Sequence, residues 1–351
     1  MFLALKEIKH ERLRYSLIVL IILLISYLIF LLSALAIGLA SQNTQAINSW
    51  QAKTVVLNEN ANLSLTQSVL TKKDLQDWHQ NADTAYIGQV PTVAKKAGRP
   101  SVSAQFFGIR SQQFIYQKQV LLAGKRARGP HQVTVDVTFK QKGYRLGDWL
   151  KLSGAKGKYQ ITGFVRDAKY NIAPIIYGTL PVWRKMRLLG PNVVASAVIS
   201  KRVMAYHHGN AKRYPIAKLV AKLPGYHAQN LTFGLMIGFL FVISLMIIAV
   251  FLYILTIQKL QNFAVMRAQG IPSRVLVSAT IVQAVILMVV GVALALVLMQ
   301  ITLALLPAAV PIAFPPMIGL VTTVGMLLMG VLGSFIPVRS ILKVDPAAAI
   351  S

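Results

Sequence analysis

The sequence predicts an α-helical membrane protein: four transmembrane helices, with a large α+β extracytoplasmic domain inserted between helices 1 and 2. Three observations predict it. Of 351 residues, 55% are hydrophobic and only 13% charged, where soluble proteins carry about 45 to 50% and about 25%. Four runs, Leu17 to Ala40, Leu231 to Ile257, Val275 to Leu306 and Met317 to Val338, contain no Lys, Arg, Asp, Glu or His, and each exceeds the roughly 20 residues that cross a hydrocarbon core about 30 Å thick. Between the first and second run lie residues 41–230, a mixed polar stretch long enough to bury its own core.

Taken in order, residues 1–16 form a cytoplasmic basic amphipathic entry and 17–40 the first span. With 24 uncharged residues this run exceeds the about 7 to 15 of a cleaved signal's apolar region, so it is read as retained. Residues 41–230 form the extracytoplasmic domain, 231–257 the second span, 258–274 a cytoplasmic coupling helix and 275–306 the third span. An outer loop follows at 307–316, then the fourth span at 317–338 and a cytoplasmic tail at 339–351. Orientation comes from short loops, where Lys and Arg favour the cytoplasm: Lys6, Lys9, Arg12, Arg14, Lys259, Arg267, Arg274, Arg339 and Lys343 share one side, and 307–316 carries no charge. The net charge of +27 falls mostly on residues 41–230, which hold 28 Lys+Arg against 7 Asp+Glu. Long domains translocate largely regardless of charge, so this does not reverse the orientation.

Within 41–230, β-branched or alternating runs bounded by turn residues predict strands at Lys53–Leu57, Tyr86–Val93, Val102–Ile109, Gln132–Val137, Trp149–Leu152, Tyr159–Val165, Ile172–Tyr177 and Val193–Ile199. Helices are expected at Thr71–Asn81, behind a Thr71 N-cap, and at Lys201–His208. Gly143 to Trp149 reads as a turn into a strand, and Gly154 to Gly157 as a hairpin loop. The sheet is expected to be mostly antiparallel. Cysteine is absent, which removes disulfides, thiolate metal sites and Cys nucleophiles. The seven carboxylates are scattered and no His stands at ligand or triad spacing, so neither a catalytic nor a metal site is expected. Lys95, Lys96 and Arg99, and Lys125, Arg126 and Arg128, read as solvated loops, with adhesion to an anionic polymer or lipid headgroup as the sharper alternative. No nucleic-acid-binding motif is present.

The spans hold no Lys, Arg, Asp, Glu or His, whereas ion-coupled transporters place such groups there. Any transport energy enters from elsewhere. It does not come from this chain's own ATP site, since the phosphate-binding motif G-x-x-x-x-G-K-[ST] is absent. No cofactor is expected in the chain itself. Small residues that permit close helix contact occur at Ala34 and Gly38 on the first span and at Gly234 and Gly238, a GxxxG, on the second. They are candidates for subunit or helix packing. Four thin spans with no polar lining favour a homodimer, and Tyr27, Met236 and Met246 are candidate substrate contacts. Methionines in the spans otherwise read as packing filler.

Most informative is Gln258 to Arg274. Leu260, Phe263, Ala264, Arg267 and Ala268 keep helical spacing, Gly270 suits a left-handed C-cap and Pro272 stops continuation. An amphipathic helix at the cytoplasmic face is expected, either presented to a partner or lying on lipid.

At this loop the chain resembles the FtsX-like permease family of ABC transporters, through Ala268-Gln269-Gly270 at the end of the loop helix. Leu3 to Ile8, Arg14-Tyr15, Gly38-Leu39-Ala40 and Val344 to Ile350 match as well. Gly147 to Leu152 with Ile161 to Val165 is similar to the MacB-like periplasmic core, and within the family the chain is similar to Gram-positive hemin-efflux permeases. The resemblance implies a homodimeric permease in the cell membrane, associated with lipid and with a separate cytoplasmic ABC ATPase that binds ATP and docks on Phe263, Met266, Arg267, Ala268 and Gly270. Its implied work is extrusion of hemin or another amphiphile by mechanotransmission. Asn262 stands where the family commonly has a carboxylate, and Gln269 where it has an apolar residue. A transmitter that regulates an envelope enzyme or sensor without transport is the alternative of a different class.

Overall fold

The computed structural model describes residues 11–307 and 310–342. Outside them lie most of the basic entry with Lys6 and Lys9, part of the 307–316 loop, most of the tail with Lys343, and the resemblance segments Leu3 to Ile8 and Val344 to Ile350. The chain divides into a unit of spans, up to Gly38 and from Asn230 onward, and an inserted unit, Leu39–Gln229.

Four helices among the described residues are long and apolar enough to cross a membrane: α1 (Arg12–Trp50), α6 (Tyr226–Gln258), α8 (Ser273–Leu305) and α9 (Pro316–Leu342). Each contains or closely overlaps an expected uncharged run. At 39 residues, α1 is about 58 Å long at about 1.5 Å per residue, well beyond a hydrocarbon core. Its last turns are polar, and there Asn43 Nδ2 and Thr44 Oγ1 donate to the carbonyls of Leu39 and Ala40 at 3.1 and 3.2 Å.

Small residues set the packing of the spans. A Cβ on Gly291 of α8 would stand 2.5 Å from Ile22 Cγ2 of α1. One on Gly330 of α9 would stand 2.4 Å from Met288 Cγ of α8, and one on Gly325 would stand 3.0 Å from the Phe241 ring of α6. Backbones thus approach closely, as helix association in lipid requires. Around these contacts Ile22, Ile29, Phe30, Leu252, Leu287, Met299 and Met326 are buried.

The inserted unit is built on a mixed sheet. Its strands are β1 (Thr54–Asn58), β2 (Leu70–Thr71), β3 (Thr84–Lys95), β4 (Val102–Ile109), β5 (Val120–Gly124), β6 (Gln132–Asp136), β7 (Trp149–Leu152), β8 (Lys158–Arg166), β9 (Lys169–Tyr170), β10 (Ala173–Thr179), β11 (Val193–Ala195), β12 (Ala197–Ser200), β13 (His207–His208) and β14 (Ala211–Pro215). Short helices α2 (Phe114–Gln117), α3 (Thr138–Gln141), α4 (Leu180–Met186) and α5 (Ile216–Ala221) join them. Most pairings are antiparallel, as expected; β4 with β10 and β6 with β8 are parallel.

Six strands close on themselves. β3 pairs β4, β4 pairs β10, β10 pairs β6, β6 pairs β8, β8 pairs β7, and β7 returns to β3 through Ala94 and Lys95. Closure leaves these strands few unpaired edges. β12, β1, β14 and β13 extend the sheet from the start of β3, and β5 flanks β8. Neighbours along a strand face opposite ways, and both faces are covered: Phe106 and Ile176 enter one core, Phe107, Ile175 and Tyr177 the other. That is why these strands read as continuous apolar runs rather than alternation. Gly88, Gly108 and Gly178 stand in register across β3, β4 and β10. Trp183 of α4 fills the trough over Gly88 and Gly108 and donates its Nε1–H to the Gln89 carbonyl at 3.1 Å.

Two expected helices are corrected. After β2, Thr71 and Asp74 do make cap-like bonds, from Thr71 N–H and Oγ1 to Asp74 Oδ2 at 2.9 and 2.7 Å, but the chain continues as turns. Asp74 Oδ1 accepts from Asn210 N–H at 3.1 Å, so the capping residue is tied to another part of the domain and no apolar stripe continues the helix. Residues 201–208 likewise form bends and then β13, paired with β14 across the two-residue turn Gly209-Asn210. That turn pair is a hairpin signal. The expected strand Val193–Ile199 is two strands, split at Ser196, whose backbone and hydroxyl bond to β3 residues Ile87 and Gln89.

Candidate functional site

Between α6 and α8 the chain folds as α7 (Leu260–Ala268). Its stop is the one the sequence specifies. Gly270, at φ +88°, donates to the Arg267 carbonyl at 3.0 Å, and Ile271 N–H reaches the Met266 carbonyl at 3.1 Å, the paired bonds of a Schellman cap. Met266 and Ile271 then pack with Phe263 and Leu276, and Pro272 is the N-cap of α8. The nine-residue helix is thereby fixed at its C-terminal end.

α7 meets the spans through a buried polar knot. Tyr15 of α1 is 2% exposed. Its hydroxyl accepts from Lys259 Nζ at 2.8 Å and from Gln283 Nε2 of α8. The Lys259 ammonium also stands 5.5 Å from the centre of the Tyr15 ring, within cation–π range. Beside it, Arg14 Nη1 donates to Gln258 Oε1 at 2.9 Å and meets Glu11 at 3.5 Å. Lys259 is the single residue between α6 and α7, so one side chain at that joint binds α1 and, through Tyr15, α8. Lys259 is half-buried at this joint, and these partners replace water that its ammonium gives up there.

The five residues expected to dock the ATPase separate by face. Phe263 is 4% exposed and anchors α7 inward, Met266 packs beside it, and Arg267 is half-buried. Ala268 and Gly270 face outward, together with Gln261, Asn262, Val265 and Gln269. Val265, which is not among the docking residues the resemblance implies, shares that exposed surface. The four packing residues also separate. A Cβ on Gly38 would stand 2.0 Å from the Pro311 carbonyl oxygen, and Ala313 N–H donates to the Ala34 carbonyl at 3.1 Å, so Ala34 and Gly38 seat the loop between α8 and α9. Gly234 and Gly238 have open space where a Cβ would be. Tyr27 bonds Thr302 of α8 at 3.0 Å and is half-buried against the core of the spans, whereas Met236 and Met246 are exposed on α6.

Among the described residues no group of three His, Asp or Glu side chains could hold a metal ion. In the inserted domain the perturbed carboxylates are structural. Burial opposes ionisation of Asp74, but its bonds from Thr71 and Asn210 outweigh this and hold it below the usual range. Burial likewise opposes Asp148, and Lys96 at 2.5 Å with Arg145 N–H at 2.9 Å lowers it. Asp136 is raised by burial despite bonds from Thr138.

Residues 234–346 match the FtsX-like permease C-terminal family. With four long apolar helices, this defines the class: a multi-pass membrane protein whose residues 234–346 are similar to an FtsX-like permease C-terminal domain. Among its relatives is a Staphylococcus haemolyticus protein that carries the name hemin transport system permease protein HrtB, 26% identical over 360 residues, covering 100% of this chain and 99% of that protein. A Staphylococcus epidermidis protein of the same name is 22% identical over 356 residues, with the same coverage. Two solved structures are partial likenesses. The periplasmic region of MacB from Actinobacillus actinomycetemcomitans is 14% identical at a TM-score of 0.33, over 42% of this chain and 74% of that one. The extracellular domain of the ABC-type transporter YknZ from Gram-positive bacteria is 12% identical at 0.32, over 43% and 83%.

Proposed function

We propose that this chain is the permease of an export system in the cell membrane of a Gram-positive bacterium, driven by a separate cytoplasmic ATPase that docks on the outward face of α7. Both termini lie in the cytoplasm and the inserted domain outside. Two copies form a homodimer, and the open Gly234/Gly238 face of α6 is where they meet. The cargo is hemin or another amphiphile, a reading supported by the names of the full-length relatives. Transport works by mechanotransmission: ATPase closure displaces α7, and the Lys259–Tyr15–Gln283 knot passes the displacement to α1 and α8.

The observation that carries this reading is the knot. A nine-residue helix capped at its end and tied at its start to two spans cannot shift without loading both. ATP belongs to the partner, and no cofactor is assigned to this chain. Ala268→Asp together with Val265→Asp alters only exposed positions, so the variant inserts normally. It is expected to lower co-purification of the ATPase at least about tenfold, as expected for loss of about 1.4 kcal/mol or more at an interface, and to abolish export. Undiminished co-purification and export would overturn the docking assignment. ATP-dependent activation of an envelope enzyme without any efflux would replace export by signalling.

A further inference from the structure

The inserted domain holds a cleft of about 770 Å³, within the range of roughly 300 to 1,000 Å³ typical of small-molecule sites. Its apolar lining comes from Leu121 of β5, Leu146 in the turn before β7, and Ile161 of β8. One wall is the segment after β5, where Lys125, Arg126 and Arg128 line the cleft.

That wall is held in place by its own backbone. Lys125 N–H donates to the Thr162 carbonyl at 2.7 Å and Ala127 N–H to Thr134 Oγ1 at 2.8 Å. The N–H groups of Arg128 and Gly129 both reach Gln132 Oε1, at 3.1 and 3.0 Å. Glycine is required on each side of this approach: a Cβ on Gly124 would stand 2.2 Å from the Thr162 carbonyl oxygen, and one on Gly163 would stand 2.6 Å from that of Lys125. Tyr116 braces the cations from below, donating to the Arg126 carbonyl and accepting from Arg128 Nε, each at 3.4 Å.

The charge on this wall is uncompensated. No carboxylate lines the cleft, and among the described residues none of the three cations has an acidic group within 4.0 Å. Arg126 satisfies Nη2 with the carbonyls of Gln117 and Gln119 at 2.9 and 3.0 Å, while its Nε is buried without a partner. Positive charge on a backbone held in place, beside apolar lining residues, favours a ligand that is both anionic and apolar.

We propose that this cleft binds an anionic amphiphile, a bulky apolar body bearing one or more carboxylates. The choice of probe rests on the export reading, so hemin, an apolar macrocycle with two carboxylates, is titrated into the full chain in phosphatidylcholine nanodiscs. Tryptophan fluorescence is followed, and empty nanodiscs are the reference. Lys125→Glu with Arg128→Glu is expected to raise the Kd about tenfold or more, and Leu146→Asp to raise it as well. The dimethyl ester of hemin should bind wild type as weakly as hemin binds the double variant. Lys72→Glu with Lys73→Glu makes the same change in net charge at exposed positions elsewhere in the domain and should leave the Kd near wild type. Equal weakening by both pairs, or none by the cleft pair, overturns the proposal. Loss of the export reading leaves a different signature: hemin binds the cleft with wild-type dependence on Lys125 and Arg128, yet cells do not extrude it.

Discussion

The two units of this chain solve the packing problem with opposite materials. In the spans, contact is made by what is missing: Gly291, Gly325 and Gly330 let Ile22, Phe241 and Met288 reach a neighbouring backbone, because lipid offers little reward for burying one more apolar side chain. In the inserted domain, contact is made by bulk. Trp50, Trp183, Phe106, Phe107 and Phe139 are fully buried, where water supplies the driving force. Glycine serves both, but as the contact itself in one and as the seat for a large ring in the other.

The comparison is broken most severely at Trp183. Trp183→Ala empties the trough over Gly88 and Gly108 and is expected to cost about 3–5 kcal/mol, seen as a lower midpoint in denaturant for the domain transition and reduced protein in the membrane fraction. Next, Gly291→Val forces a side chain into Ile22 and should cost about 1–3 kcal/mol in thermal unfolding of the purified protein. Gly238→Val, made on the open face of α6, should leave that unfolding unchanged and weaken the proposed homodimer in cross-linking. A drop in thermal stability equal to that of Gly291→Val would remove the distinction between the two glycines. Smaller again is Lys259→Met, which leaves Tyr15 and Gln283 paired; it is expected to cost about 0.5–1.5 kcal/mol and to reduce export while ATPase co-purification persists.

The mildest test is pH. Asp74 and Asp148 both titrate below the usual carboxylate range in the folded domain, so the folded state binds fewer protons than the unfolded chain as pH falls. Their stabilisation is complete above the unfolded value of about 3.9 and is lost as pH falls through the folded values. Asp74→Asn should therefore flatten the acid limb of a stability profile below about pH 5 and leave neutral pH slopes unaltered. An unchanged acid limb would show that these bonds are not retained in solution.

What could be read in advance follows from how local each signal is. The spans are legible because an uncharged run such as Leu17 to Ala40 is one-dimensional information, and the stop of α7 because Gly270 and Pro272 act on adjacent residues. Thr71–Asn81 was misleading for the same reason: Thr71 and Asp74 carry real capping chemistry, but Asn210, 136 residues away, claims the carboxylate. The Gly209-Asn210 turn was legible in principle and outweighed by the helical look of Lys201 to His208. Tyr15 meets Lys259 and Gln283 across 244 and 268 residues, a distance over which no pattern in the chain announces a contact. The α6 face shows the same limit, since GxxxG states that close approach is possible and not what approaches.

The ring of six strands bears on how this protein is made. β3 cannot complete the ring until β10, ending at Thr179, has been synthesised, and β1 finds both its neighbours only in β12 and β14. The earliest strands therefore wait, with unpaired edges and apolar faces on both sides, for nearly the whole domain to follow. Such edges are prone to wrong partners at this stage, so interruptions of synthesis between β4 and β10 should be the most damaging to the yield of folded protein.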